Sequence, residues 1–226
     1  MGQEYIKNVV VSSTIPTFSE PVFFDDFEGV FNWFQLYKNN TSGSFAKNAT
    51  DVYQGSNALR LINGTVAPMS GEKIGVQRYL GGTDRRYIAF NGFFRPNDGD
   101  DQQKIYFMIT SHRTDMANEY ILQIDMSTLT VKVITTGGSY TTISTDLYTP
   151  QADGWNFFKL IIDAQLGKYV KAQVNSKVFD IRTIPGRNLT ENELEYLQIG
   201  IYAEATANIQ ATLYFDNISV LGQDNV

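Results

Sequence analysis

Two segments at opposite ends of this chain constrain its folding most: Phe23-Phe24-Asp25-Asp26-Phe27-Glu28-Gly29 and Tyr214-Phe215-Asp216-Asn217-Ile218-Ser219-Val220. Each sets large apolar residues among acidic and polar ones, as a strand with one buried face requires. The sequence between them is strand-like almost throughout. A chain bracketed in this way is expected to form a β-sandwich whose first and last strands lie side by side.

Strand signals recur at short intervals from Val22 onward. Ala58-Leu59-Arg60-Leu61-Ile62 follows the turn Gln54-Gly55-Ser56-Asn57. Tyr87 to Phe94 alternates until Pro96 and the acidic turn Asn97-Asp98-Gly99-Asp100-Asp101. Ile105–Ile109 and Tyr120–Ile124 flank a polar stretch, Ser111 to Asn118, which reads as a solvated loop. Thr130–Ile134 and Tyr140–Ile143 pair as a hairpin across Gly137-Gly138. Trp155–Asp163, Tyr169–Val174 and Val178–Ile181 form a three-stranded meander, with Trp155 placed in its core. Thr190-Glu191-Asn192-Glu193 has capping-box spacing and predicts a short helix near 191–196. Residues 1–22 read as an extended arm, since the β-branched run around Tyr5, Ile6, Val9, Val10 and Val11 is broken by Pro16 and Pro21.

Bulk properties narrow the function. A net charge of −6 with scattered Lys and Arg argues against a nucleic-acid partner, because phosphate recognition needs clustered cations. The absence of cysteine excludes disulfides, thiolate metal sites and a Cys nucleophile. No apolar run reaches the length needed for membrane insertion. The first residues lack the basic and apolar regions of a signal peptide, and the Asn-x-Ser/Thr triplets at Asn48, Asn63, Asn188 and Asn217 read as chance in an Asn/Thr-rich chain.

The Trp155-to-Ile181 meander resembles that of the concanavalin-A-like jelly rolls, a group that includes lectins, laminin-G-like domains and glucanases. The Phe27-Glu28-Gly29 and Phe215-Asp216-Asn217-Ile218 bracket is similar to that of carbohydrate-binding-module jelly rolls, as is Asp51-Val52-Tyr53-Gln54-Gly55-Ser56-Asn57-Ala58-Leu59-Arg60. The fold expected is all-β: a two-sheet antiparallel jelly-roll sandwich over 23–226, preceded by the arm and carrying one short helix. The resemblance also implies a structural Ca²⁺ joining the first and last strands, with Glu28 and Asp216 as ligands and Asp26 as a third.

Catalytic motifs are sparse. His112 is the single histidine, and no Gly-x-Ser-x-Gly elbow accompanies it. Glucanases of the resembled class place two Glu and an Asp on alternate residues of one strand, and Gln123-Ile124-Asp125-Met126 lacks both Glu. The patterns of jelly-roll alginate lyases are absent too. His112, Arg113, Asp115 and Glu119 are read as loop residues. Sugar binding needs exposed rings, for which Trp33, Tyr140 and Tyr148 are the candidates. On this basis the chain is expected to be a non-catalytic structural subunit of an assembly, of virion-surface or extracellular-filament type, that self-associates or meets other subunits through its arm at an extracellular or virion surface. A carbohydrate-binding module with a glycan partner is the alternative. A glycan-degrading enzyme, glucanase or lyase, is the second.

Overall fold

A computed structural model describes residues 20–38, 42–63, 70–81, 84–97, 103–113, 116–145, 154–189, 195–206, 210 and 212–224. Its strands form two antiparallel sheets, numbered here in chain order. The first sheet runs β13 (Lys177–Asp180), β12 (Lys168–Val174), β11 (Asn156–Asp163), β6 (Tyr87–Pro96), β16 (Thr212–Gln223), β4 (Ala58–Ile62), β3 (Ser44–Asn48). β1 (Glu20–Asp25) lies beside the second half of β16. The second sheet runs β10 (Tyr140–Ser144), β9 (Thr130–Ile134), β8 (Met116–Asp125), β7 (Gln103–Arg113), β15 (Tyr196–Ala205), β5 (Lys73–Tyr79), β2 (Phe34–Lys38), with β14 (Arg187–Leu189) on β8. The fold is a jelly-roll sandwich.

Alternation decides which residues fill the space between the sheets. Phe90, Phe94, Phe158, Leu160 and Phe215 of the first sheet meet Ile105, Phe107, Ile109, Leu122 and Ile199 of the second, all fully buried. The Phe107 and Phe158 rings stack at 3.6 Å, with Phe90 edge-on to both. Gly92 makes room for this packing, because a Cβ there would lie 2.5 Å from Ile218 Cδ1 and 3.1 Å from the Phe158 ring. In β16 the register shifts between Asp216 and Ser219, with Asn217 at positive φ, so Phe215 and Ile218 both point inward although three residues apart.

Several expectations hold. β1 pairs with β16, the meander is β11-β12-β13, and β9-β10 is the hairpin, with Gly138 at φ 77° in its turn. Others change. Residues 20–22, counted with the arm, belong to β1, and the rest of the arm, including Tyr5, Ile6, Val9, Val10 and Val11, lies outside the described residues. There is no helix among the described residues; 190–194 lie outside them, and Tyr196 already opens β15. The stretch Ser111–Asn118 is not a solvated loop: β7 continues to Arg113 and β8 begins at Met116, because backbone pairing continues through polar residues when one face is covered.

Replacing Phe107 by Ala should cost about 3–5 kcal/mol, the range for an aromatic ring removed from a close-packed core. Urea unfolding of the variant checks this; a loss under about 1 kcal/mol would mean that the ring stack does not hold the sheets together.

Candidate functional site

Because Phe107, Leu122 and Ile201 point inward, their neighbours on β7, β8 and β15 point to the outer face of the second sheet. In register across that face stand Gln123, Tyr106, Tyr202 and, on β5, Gly75. Tyr106 and Tyr202 stack at 4.2 Å, Tyr37 of β2 meets Tyr202 edge-on at 4.8 Å, and Tyr140 of β10 lies 6.1 Å from Tyr106. Gly75 is needed here: a Cβ would sit 2.3 Å from that of Tyr202. Four tyrosines from four strands thus share one cluster.

Charge borders it on both sides. Glu204 Oε2 accepts the Tyr106 hydroxyl at 2.8 Å, and Glu204 pairs with Lys73 (3.5 Å) and Lys104 (3.4 Å). Lys73 Nζ lies between 5.5 and 5.9 Å from the rings of Tyr37, Tyr106 and Tyr202, close enough for cation–π attraction. On the other side Arg187 of β14 donates to Glu119 of β8 at 3.1 Å. Desolvation raises the Tyr37, Tyr106, Tyr140 and Tyr202 phenols above their ordinary value, Tyr140 to about 12. Nearby groups raise them further: the Glu119 carboxylate at Tyr37, Glu204 at Tyr106, and Tyr140 at Tyr202, whose hydroxyl donates to it. Tyr106 and Tyr202 are buried, with hydroxyls that donate to Glu204 and Tyr140, and Tyr140, 38% exposed, forms the rim of the cluster.

At the far end of the same face, roughly 20 Å from Tyr106 along β7, His112 stacks on Tyr196 at 4.1 Å, and Tyr79 meets Tyr196 edge-on. His112 is buried, and its Nδ1 has no hydrogen-bond partner among the described residues. Gln198 donates to Gln77 between the two ends. The carboxylates of this face, Glu119, Asp125 and Glu204, do not form a hydrolase pair. Asp125 and Glu204 both lie opposite Lys104 in register, so a cation stands between them where a glycosidic bond would have to fit. Asp125 Oδ1 is also occupied by Ser127 and Thr128.

The remaining sequence candidates fall elsewhere. Trp33 is buried in the core, packs on Phe23 and Phe27, and donates from Nε1 to Asp25 at 2.8 Å, so it offers no platform. Tyr148 and Asp115 lie outside the described residues. Glu28 and Asp216 both hold the Tyr53–Asn57 loop. The Ser56 (2.5 Å) and Asn57 (2.8 Å) N–H groups donate to Glu28, and those of Tyr53 and Gln54 (both 3.0 Å) to Asp216. Asp26 accepts the Glu28 N–H. Desolvation raises the Asp216 carboxyl, opposed by its backbone hydrogen bonds and reinforced by Asp26, whereas hydrogen bonding from Ser56 lowers Glu28. Among the described residues no three His, Asp or Glu side chains gather as a metal set. Tyr140 is the sequence candidate that falls in the tyrosine cluster; Tyr37, Tyr106 and Tyr202 escaped sequence reading because the members are spread from position 37 to position 202. Only strand parity joins them.

No protein-family model matches this chain, and no curated protein resembles it in sequence at a significant level. Solved structures do share its concanavalin-A-like jelly roll. One is an endo-β-1,4-glucuronan lyase from the fungus Trichoderma reesei (TM-score 0.60, 13% identity, covering 90% of this chain and 95% of that one). The cellulose-induced protein Cip1 has TM-score 0.58 and 14% identity, covering 88% and 96%. A Bacillus licheniformis β-glucanase has TM-score 0.51 and 12% identity, covering 88% and 96%. These findings overturn the expectation of a non-catalytic assembly subunit: the neighbours that share the sandwich over most of their length include glycan-degrading enzymes.

The tyrosine cluster also makes a pH prediction. Phenols raised above their ordinary value of 10 bind their proton more tightly in the folded state. Their contribution is therefore complete below about pH 10 and is lost as pH rises toward and through the folded values. The urea midpoint should fall between about pH 9 and pH 12, and Tyr106→Phe should flatten that decline. An unchanged slope in the variant would show that Tyr106 is not linked to folding.

Proposed function

We propose that this protein is carbohydrate-active and holds a polysaccharide against the outer face of its second sheet. The observation behind this reading is the cluster of Tyr37, Tyr106, Tyr140 and Tyr202 beside Glu204, Lys73 and Lys104. Tyr106 and Tyr202 are buried and form the base of the cluster, so Tyr140 at its rim and the half-buried Tyr37 are the rings that can meet a pyranose, while carboxylate and ammonium groups suit its hydroxyls. The fold neighbours act in the same direction, as proteins named for glucan, glucuronan and cellulose.

A second reading concerns chemistry. His112 stacked on Tyr196 sets an imidazole base beside a phenolic donor, whereas the carboxylate arrangement for hydrolysis is missing among the described residues. This combination suits β-elimination from a uronate glycan. The base removes the proton α to the carboxyl group, a C=C bond forms, the C4–O bond breaks, and the leaving oxygen takes a proton from the phenol. Cleavage of this type leaves a conjugated double bond that absorbs in the ultraviolet.

Affinity electrophoresis in mixed-linkage β-glucan and in polyglucuronate tests binding. Tyr140→Ala and Tyr37→Ala should each weaken it about tenfold, near 1.4 kcal/mol; equal migration of both variants and the parent would refute the site. For the chemistry, ultraviolet-absorbing product from polyglucuronate should vanish in His112→Ala and fall steeply in Tyr196→Phe. New reducing ends without that absorbance would instead indicate hydrolysis.

Calcium is proposed at Glu28 and Asp216, with Asp26 beside them. The residues fit in charge: Asp216 is fully buried, has no ion-pair partner among the described residues, and feels Asp26. The side chains alone are too few, so carbonyls of the 53–57 loop would complete the oxygen set. Calcium would supply a structural clamp between the first and last strands. Chelation should lower the melting temperature by several degrees, as loss of a ligand specific to the folded state must. Identical melting with chelator and with added calcium would leave the two acids as loop anchors alone.

A further inference from the structure

The first sheet carries a second aromatic surface, on the side of the sandwich opposite the tyrosine cluster. Strand parity again sets it: Gly92 and Phe158 face the core, so Phe93 and Phe157, which are paired in register, face out. Tyr53, from the loop held by Glu28 and Asp216, lies flat on Phe93 with ring centres 3.9 Å apart and planes within 14°. One face of the Tyr53 ring is thus turned away from the protein, and the residue is 45% exposed. The Trp155 ring stands against Tyr53 at 65° with centres 5.7 Å apart. The result is a flat floor with an upright wall; Tyr53 belongs to the binding-module-like segment 51–60, whereas the setting of Trp155 suggested a core position. The structure corrects that: Trp155 is half-buried on the outside.

What surrounds the floor is neither a hydrophobic patch nor a block of charge. Asn217 Nδ2 donates to Gln54 Oε1 at 3.1 Å beside it. One residue pair farther along the sheet, Ser219 donates to Asn91 at 3.0 Å, and Asn91 is in register with Lys159, which is in register with Gln173. Each amide in this row has both a donor and an acceptor atom, so engagement of one leaves the other to offer. An apolar floor, an aromatic wall and a rim of amides and a hydroxyl together match a pyranose ring. Its C–H face lies on an aromatic plane while its equatorial hydroxyls exchange hydrogen bonds at the edge. A protein partner would need a much larger dry area than a single exposed tyrosine face provides.

We propose that Tyr53 and Trp155, on Phe93, form a second glycan-binding seat that takes a β-linked pyranose chain with equatorial hydroxyls, independent of the tyrosine cluster on the opposite face. A chain tethered here would keep the protein on a polysaccharide surface while the other face stays open to a separate strand. Tyr53 is held by backbone N–H donation to Asp216, so the seat is set in position before any sugar arrives.

Full-length protein is tested by pull-down on amorphous cellulose and by affinity electrophoresis in mixed-linkage β-glucan. Tyr53→Ala should reduce retention on cellulose at least tenfold, Trp155→Ala should do so by a smaller factor, and Tyr53→Phe, which keeps the ring, should bind as the parent does. Tyr53 is exposed, so unchanged far-ultraviolet circular dichroism and melting of Tyr53→Ala are expected and separate lost binding from lost folding. Parent protein that is retained on neither polysaccharide overturns the proposal, and so does Tyr53→Ala binding at parental strength. Tyr140→Ala serves as the counterpart on the opposite face. If it retains cellulose binding while Tyr53→Ala loses it, the second seat stands whether or not the tyrosine cluster binds glycan.

Discussion

The stack of Phe107 on Phe158 ties the two sheets together and, with them, everything on their outer surfaces. Strand side chains alternate strictly, so fixing these two rings inward leaves no choice for their neighbours. Tyr106 and Met108 must face one side of the sandwich, and Phe157 and Lys159 the other. A slip of one residue in either strand would send an ammonium group into the core and a phenyl ring into water. The packing that stabilises the molecule and the surfaces that would meet a ligand are therefore a single constraint.

Glycines mark where that constraint is tightest. Gly92 lets Phe158 and Ile218 close under the first sheet, and Gly75 lets Tyr202 lie across the second. Both occupy strand interiors, where glycine weakens a strand through lost packing and added chain entropy. They are tolerated because each adjoins an aromatic ring whose burial more than offsets that loss.

Much of this architecture was legible in the sequence. Local, periodic elements gave themselves away: the meander from Trp155, the hairpin across Gly137-Gly138, and the bracket of first and last strands. The span Ser111–Asn118 did not, because His112 and Asn118 look like loop residues until two long strands cover them from either side. The sites were less legible still. Tyr37, Tyr106, Tyr140 and Tyr202 have no spacing in common, and their meeting depends on the order β10-β9-β8-β7-β15-β5-β2, which no local pattern encodes. Trp155 misled for the opposite reason: its position at the head of an apolar strand implied burial, whereas the inward parity belongs to Phe158.

β16 touches β6 on one side, and β4 and β1 in succession on the other. All three partners lie far upstream, so the centre of the first sheet is missing until residues 212–223 have left the ribosome. Until then β6 presents an open edge to any extended chain nearby, its own copies included. Closure of such distant pairings is slow, since the entropy of a long loop must be lost before contacts repay it. The timing of synthesis is thus written into the topology: β16 is the strand on which the sheet waits, and the unfinished chain is most exposed to misassociation just before it arrives.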